Sequence, residues 1–244
     1  MDGHRPPTRI FLLSHMRAYT SVLGHILGSH PEIAGYYELH RGYALPDDLD
    51  RQLAQYARHD PPKPDARYFF DKLLHNDYPL DLALPGLADA VVLATLRPPA
   101  PTLASILALF AGKPGDDPYA TPAGATRYYV ERVAALAAFA GRHPGRLRYF
   151  DAPLLNTDAP RLLGTLAGWL GLATPLSPHY RTFSQSGRAG AGDTSPALAA
   201  GRLLHAPQRP ADARLDPALL AAAEAAYAAA RERLIALAAA VALA

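Results

Sequence analysis

At 244 residues and a net charge of only +2, half hydrophobic and 19% charged, the chain has the make-up of one globular domain with a full core, not of a disordered segment. A balance this close to neutrality excludes capture of nucleic acid or anionic membrane by overall charge, so any anion site must be local. Cysteine is absent, which excludes disulfides, thiolate metal centres and a Cys nucleophile; with no apolar run long enough for a signal peptide or a bilayer span, the expectation is a soluble, cytoplasmic protein.

In chain order, residues 9–14 hold an apolar run, Ile10 to Leu13, that predicts a buried strand. A polar loop follows, and Thr20 and Ser21 open a helix over 21–28 with apolar positions at Val22, Leu23, Ile26 and Leu27. A strand feeding a hydroxyl-bearing loop and then a helix N-terminus is an anion cradle. The unpaired first-turn N–H groups and the positive end of the helix dipole both face the loop. Arg17 adds a rigid fork of donors, and Thr20 and Ser21 add hydroxyls. No G-x-x-x-x-G-K-[ST] run occurs, so this is not a Walker A loop.

Residues 41–66 read as a long loop on their Pro-Asp-Asp and Asp-Pro-Pro-Lys-Pro runs. Strands are predicted over 67–71, 90–96 and 146–150, and helices over 102–110, 126–140 and 157–170. A Gly-, Ser-, Pro- and Arg-rich loop spans 176–214, and an alanine-rich helix runs from Pro217 to about Leu243. Strands alternating with helices predict an α/β fold with a largely parallel sheet, in one domain covering residues 1–244. Ligands of such sheets bind beyond the carboxyl ends of the strands, where the opening loop lies.

Arg17-Ala18-Tyr19-Thr20-Ser21 resembles the Arg-Ser-Gly-[Ser/Thr]-[Ser/Thr] loop of sulfotransferases that use 3′-phosphoadenosine 5′-phosphosulfate (PAPS). Ser29-His30-Pro31-Glu32-Ile33 is similar to the run that ends the first helix in the carbohydrate and tyrosylprotein branches of that family. The resemblance implies a three-layer α/β fold with a mostly parallel sheet, and PAPS as sulfuryl donor bound at its 5′-phosphosulfate by residues 17–21. It also implies metal-independent transfer to a hydroxyl of a sugar, phenol or other small molecule. Tyr19 stands where that loop carries glycine, which takes a positive φ at no cost. Either the loop here avoids that conformation, or its anion sits differently.

Arg97 ends the predicted strand at 90–96, and Ser105 follows eight residues later inside the next helix, with Pro101 suited to its first turn. A strand-end guanidinium and a hydroxyl one turn into a helix can converge on one phosphate, and the spacing resembles the family's 3′-phosphate pattern. Taken alone, an Arg paired with a carboxylate and a Ser bonding its own helix explain the two residues equally well. Lys72, directly after the predicted strand at 67–71, resembles the lysine that meets the bridging oxygen of the departing phosphosulfate; the alternative is a surface ion pair.

Glu38, in Gly35-Tyr-Tyr-Glu-Leu-His40, lies at the spacing from Arg17 where the Glu-using branches carry a catalytic base. The rival bases are His40 and His75, because the cytosolic branch uses histidine. Arg188 and Gly192-Asp193 resemble a late loop that folds over the 3′-phosphate; a flexible linker is the alternative. Tyr36, Tyr37 and Tyr43 are candidates for stacking on a sugar or aromatic acceptor. Two other functions remain in view: a small-molecule kinase with a degenerate phosphate loop, and a non-catalytic nucleotide-binding or scaffold module.

Overall fold

The structure, a computed structural model, describes residues 6–61, 63, 64, 66–111, 117–188, 190, 192–204 and 215–244. Residues 205–214, the last part of the predicted 176–214 loop, lie outside them, as do Ala189, Ala191 and the first five residues. Six strands form one sheet in the order β2-β3-β1-β4-β5-β6. They are β1 (Thr8–Leu13), β2 (Ile33–Ala34), β3 (Tyr68–Leu73), β4 (Val91–Leu96), β5 (Leu147–Asp151) and β6 (Ala240–Ala242). Every pairing in the sheet is parallel. The helices are α1 (Thr20–Ser29), α2 (Asp48–Ala57), α3 (Pro99–Phe110), α4 (Pro122–Arg142), α5 (Leu154–Thr157), α6 (Ala159–Leu170) and α7 (Pro217–Leu237).

Alternation along the strands builds the three layers. Phe11, Leu13, Val92, Ala94, Leu147 and Tyr149 pack on one face with Leu103, Ile106 and Leu107 of α3, Tyr129 and Val133 of α4, and Leu234 of α7. Ile10, Leu12, Phe70, Leu93 and Phe150 pack on the other with Leu23, Ile26 and Leu27 of α1 and Leu162, Leu163 and Leu166 of α6. Because both faces are covered, the central strands read as continuous apolar runs, as buried parallel strands do. From β1 the chain first builds β2 and β3 on one side and then crosses to β4 on the other. That reversal leaves a crevice at the carboxyl end of β1, where the 14–19 loop sits.

Four predicted boundaries need correction. The 41–66 segment contains helix α2, whose buried side chains include Gln52 and Tyr56. The Asp48 carboxylate accepts the N–H groups of Ala44 and Leu45 at 3.0 and 2.8 Å and so fixes the turn into it. The alanine-rich terminal helix ends at Leu237, and residues 240–242 pair with β5 as an edge strand. Alanine favours helix, but pairing with an exposed sheet edge outweighs a propensity of tenths of a kcal/mol per residue. Lys72 lies inside β3, not after it. The predicted 157–170 helix is two pieces, with Asp158 between them accepting the Arg161 N–H as N-cap of α6.

Candidate active site

The loop after β1 turns into α1 through two left-handed residues, Arg17 at φ 64° and Tyr19 at φ 61°. Tyr19 therefore adopts the conformation that the sequence made doubtful for a non-glycine residue. Such a residue costs about 1–3 kcal/mol and persists only where its surroundings hold it there. Left-handed residues at alternate positions of a loop are one of the backbone forms that can build an anion nest. Tyr19 is the N-cap of α1 and its carbonyl accepts the Leu23 N–H at 3.1 Å; no side chain caps that end. A cleft of about 220 Å³ opens at this point, lined by Arg17, Tyr19, Thr20, Ser21, Arg97 and Ser105 together with apolar residues that include Val22, Leu198 and Leu203. Ala18 is buried beneath the loop.

Arg17 is the centre of the polar network. Its Nε donates to Ser105 Oγ at 2.8 Å, and its Nη1 donates to Asp193 Oδ1 at 3.0 Å. Its carbonyl accepts from Arg97 Nη1 at 2.8 Å, and the Arg97 guanidinium lies over the Tyr19 ring, 4.5 Å from the centroid. The Arg97 main chain is itself fixed: its N–H donates to His15 Nε2 at 3.0 Å and its carbonyl accepts from Tyr129 Oη at 2.8 Å. His15 thus carries its proton on Nδ1, which donates to the Met16 carbonyl, and burial lowers its pKa to about 4.

Lys72 reaches the same loop from β3, with Nζ 3.0 Å from Ser21 Oγ. Burial pulls its pKa down, against the opposing pull of Glu38, Asp71 and Asp193. Gly192 closes over both groups. At φ 124° the position favours glycine, and a Cβ there would lie 2.8 Å from Ser21 Oγ and 3.0 Å from Lys72 Nζ, forcing these side-chain ends to shift. The Asp193 N–H donates to Ser21 Oγ at 3.0 Å, and Arg17 and Ser195 keep the Asp193 carboxyl below the usual carboxylate range against its burial. Arg188 does not join this set: it is exposed and does not line the cleft.

Glu38 is carried by the segment after β2. Gly35, at φ 83°, passes so close to β3 that a Cβ would sit 2.1 Å from the Phe70 carbonyl oxygen. Beyond it Glu38 is 4% exposed, and its Oε1 has no hydrogen-bond partner among the described residues. His40 Nδ1 is 3.6 Å from that oxygen, while His40 Nε2 meets the Gly190 carbonyl at 2.5 Å. Asp71 holds the segment from beneath: it accepts the N–H groups of Leu39 and Lys72 at 3.2 and 2.8 Å and the Tyr43 hydroxyl. Burial pushes Asp71 up to about 7. From α2, the Gln55 side chain donates to the Leu39 carbonyl at 2.8 Å. His75 is packed against Tyr78, Tyr119 and Tyr128, on the Glu38 side of the site, where it interacts electrostatically with Glu38 and His40; like them it does not line the nucleotide cleft.

The stacking tyrosines have other partners. Tyr43 is fully buried against Phe11, and Tyr36 stacks on Phe183 at 4.2 Å while its hydroxyl donates to Asp60 and accepts the Gln185 N–H. Tyr37 is buried beside Tyr56. These rings hold the 183–186 turn and the core. Sequence reasoning also missed His25, whose Nδ1 meets the Ser21 carbonyl at 2.8 Å and whose Nε2 meets Ser186 Oγ at 2.7 Å. Its position one turn after Ser21 on α1 was the available signal.

Neither a protein-family model nor a curated protein matches the chain. Among solved structures it is similar to the sulfotransferase domain from the curacin biosynthetic pathway, with a TM-score of 0.60 and 15% identity over 92% of this chain and 98% of that one. It is likewise similar to the sulfotransferase domain from the Synechococcus PCC 7002 olefin synthase, with a TM-score of 0.53 and 16% identity over 93% of this chain and 96% of that one. At these identities the likeness is one of architecture: the chain has the α/β fold of sulfotransferase domains.

Proposed function

We propose that this protein is a sulfotransferase that uses PAPS as donor and a hydroxyl-bearing small molecule or carbohydrate as acceptor. Arg17 carries the reading: residues that the motifs assign to two separate phosphates meet at this one side chain, in one cleft. The cleft suits a nucleotide with anionic groups at both its 5′ and 3′ positions, since its lining joins the guanidiniums of Arg17 and Arg97 and the hydroxyls of Thr20, Ser21, Ser105 and Ser195 to an apolar wall of Val22, Leu198 and Leu203.

When bound, PAPS supplies the activated sulfuryl group; the chain supplies position and charge. Arg17, Thr20, Ser21 and the N-terminus of α1 form the cradle for its 5′ end, and Arg97 and Ser105 the cradle for its 3′-phosphate. Lys72 places a positive charge beside Ser21. Glu38 takes the proton of the acceptor hydroxyl: the lone pairs of its Oε1 have no donor among the described residues. Because arginine, lysine and a helix terminus provide the positive charge, transfer needs no metal ion.

A thermal-shift comparison of PAP (3′-phosphoadenosine 5′-phosphate), ADP, ATP and NAD tests the donor. PAP at 100-fold excess over its dissociation constant stabilises by about 2.7 kcal/mol, more than the others at equal concentration. A larger response to ATP with Mg²⁺ selects the kinase alternative. A second reading, a nucleotide-binding module without turnover, is favoured by the Asp193 carboxylate on Arg17. PAP binding without transfer to any of a broad set of acceptors would select it.

A further inference from the structure

We propose that Tyr19 is a positioning residue that acts through Arg97, and that the pair couples the two anion sites of the cleft. The proposal rests on the PAPS reading and gives a role to the residue that departs most from the loop pattern. The loop needs left-handed backbone at both Arg17 and Tyr19, a conformation disfavoured for any residue with a Cβ. One side chain grips both. Arg97 donates from Nη1 to the carbonyl of Arg17 and holds its Cζ over the ring of Tyr19, 4.5 Å from the centroid.

Arg97 is a rigid post for this purpose. Its main chain is held by His15 and Tyr129, and it stands at the end of a central strand. With the ring packed against it, the planar guanidinium is held in one orientation, from which a phosphate can accept two of its N–H groups. The contact therefore works in both directions. Tyr19 sets the orientation in which Arg97 meets an anion, and Arg97 holds the 5′ loop in its left-handed conformation. Ser105, on the same side of the cleft, completes the link by accepting from Arg17. Glycine at position 19 would give the loop its φ without strain, but would leave the guanidinium without its platform. Tyr19→Gly is thus a loss, not a repair.

The test is calorimetric titration with PAP and with AMP, which lacks the 3′-phosphate, on the full chain and on Tyr19→Phe, Tyr19→Asn and Tyr19→Gly. Phenylalanine keeps the ring; asparagine and glycine tolerate the left-handed backbone and lose the ring, and using both guards against a folding failure in one. Tyr19→Phe is expected to keep the preference for PAP over AMP within about twofold. Tyr19→Asn and Tyr19→Gly should lower it about five- to thirty-fold, the scale of a cation–π contact, with melting curves unchanged or raised. Adding Arg97→Ala to Tyr19→Asn should cost less PAP affinity than Arg97→Ala costs alone. In the wild type the Arg97 side-chain protons, with the guanidinium carbon over the ring, should resonate upfield, and they should return to the ordinary arginine position in Tyr19→Asn. A wild type that prefers PAP together with ring-less variants that keep that preference overturns this inference and leaves the PAPS reading standing. An equal loss in Tyr19→Phe overturns it too, because the ring would not be the operative part. A wild type that binds PAP no better than AMP overturns both.

Discussion

Arg17 Nε and Ser105 Oγ stand 2.8 Å apart although 88 residues separate them in sequence. The first belongs to the loop after β1 and the second to the second turn of α3, so this hydrogen bond joins the two anion-binding motifs across the crevice between β1 and β4. Arg17 also meets Asp193, which brings the late loop to the same point. A side chain with this many partners aligns the cleft as well as charging it.

Arg17→Ala should therefore weaken PAP binding by at least about 1.5–3 kcal/mol, the range for a hydrogen bond to a charged group. AMP should lose a similar amount, since the residue serves the 5′ end. Arg17→Lys restores the charge but not the fork, and should recover only part of the loss. Calorimetric titration of the three proteins with both nucleotides checks this.

Glu38→Gln keeps the shape of the side chain and removes its basicity. Turnover on an alcohol or sugar acceptor should fall by about 10²–10⁴-fold, with PAP affinity nearly unchanged. A phenol, with pKa near ~10, needs less help from a base and should show a smaller effect. His40 contacts Glu38 and the Gly190 carbonyl, so His40→Ala should have an intermediate effect, and His75→Ala, which removes no hydrogen bond or ion pair to Glu38 among the described residues, a smaller one. A dead His40→Ala or His75→Ala beside an active Glu38→Gln would move the base to histidine.

The buried imidazoles set an acid limit to stability. Burial lowers both His15 and His25 to about 4 from an ordinary 6.5. Between those values the unfolded chain binds more protons than the folded one, so stability falls as pH drops from 6.5 toward 4. Asp71 acts in the opposite sense: raised to about 7, it takes up its proton more readily in the folded state and offsets part of the loss over the same interval. The imidazole carbon-bound protons of His15 and His25 should show no titration between pH 7 and 5 by NMR. Denaturant midpoints should decline below pH 6.

Transfer should persist in EDTA at the rate seen with Mg²⁺ present, because Arg17, Lys72 and the α1 terminus supply the positive charge in the proposed mechanism. Loss in chelator with recovery on adding Mg²⁺ would favour the kinase alternative.

The four longer strands were legible because parallel strands buried on both faces read as apolar runs, as Ile10–Leu13 and Val91–Leu96 do; the two-residue edge strand β2 was not, being too short to show a pattern. The anion loop was legible because strand, hydroxyl loop and helix follow in immediate succession. Helix α2 was not, because its apolar positions Leu49, Leu53 and Tyr56 are few and its stability comes from buried polar contacts such as Arg9 to Gln52 at 2.7 Å. Strand β6 was not, because three residues of an alanine run show no period of their own. The fate of Tyr36 and Tyr43 was not, because an aromatic on a loop serves a core or a ligand equally well until its neighbours are known. The meeting of Arg17 with Ser105 and Asp193 depends on long-range packing that no local spacing encodes.

Calorimetric titration of the wild-type protein with PAP and AMP side by side tests the central claim, a cleft built for a nucleotide with phosphates at both its 5′ and 3′ positions, most directly. Two or more hydrogen bonds from Arg97 and Ser105 to the 3′-phosphate predict PAP binding at least about tenfold tighter than AMP. Equal affinities, or a stronger response to ATP than to PAP, would contradict it.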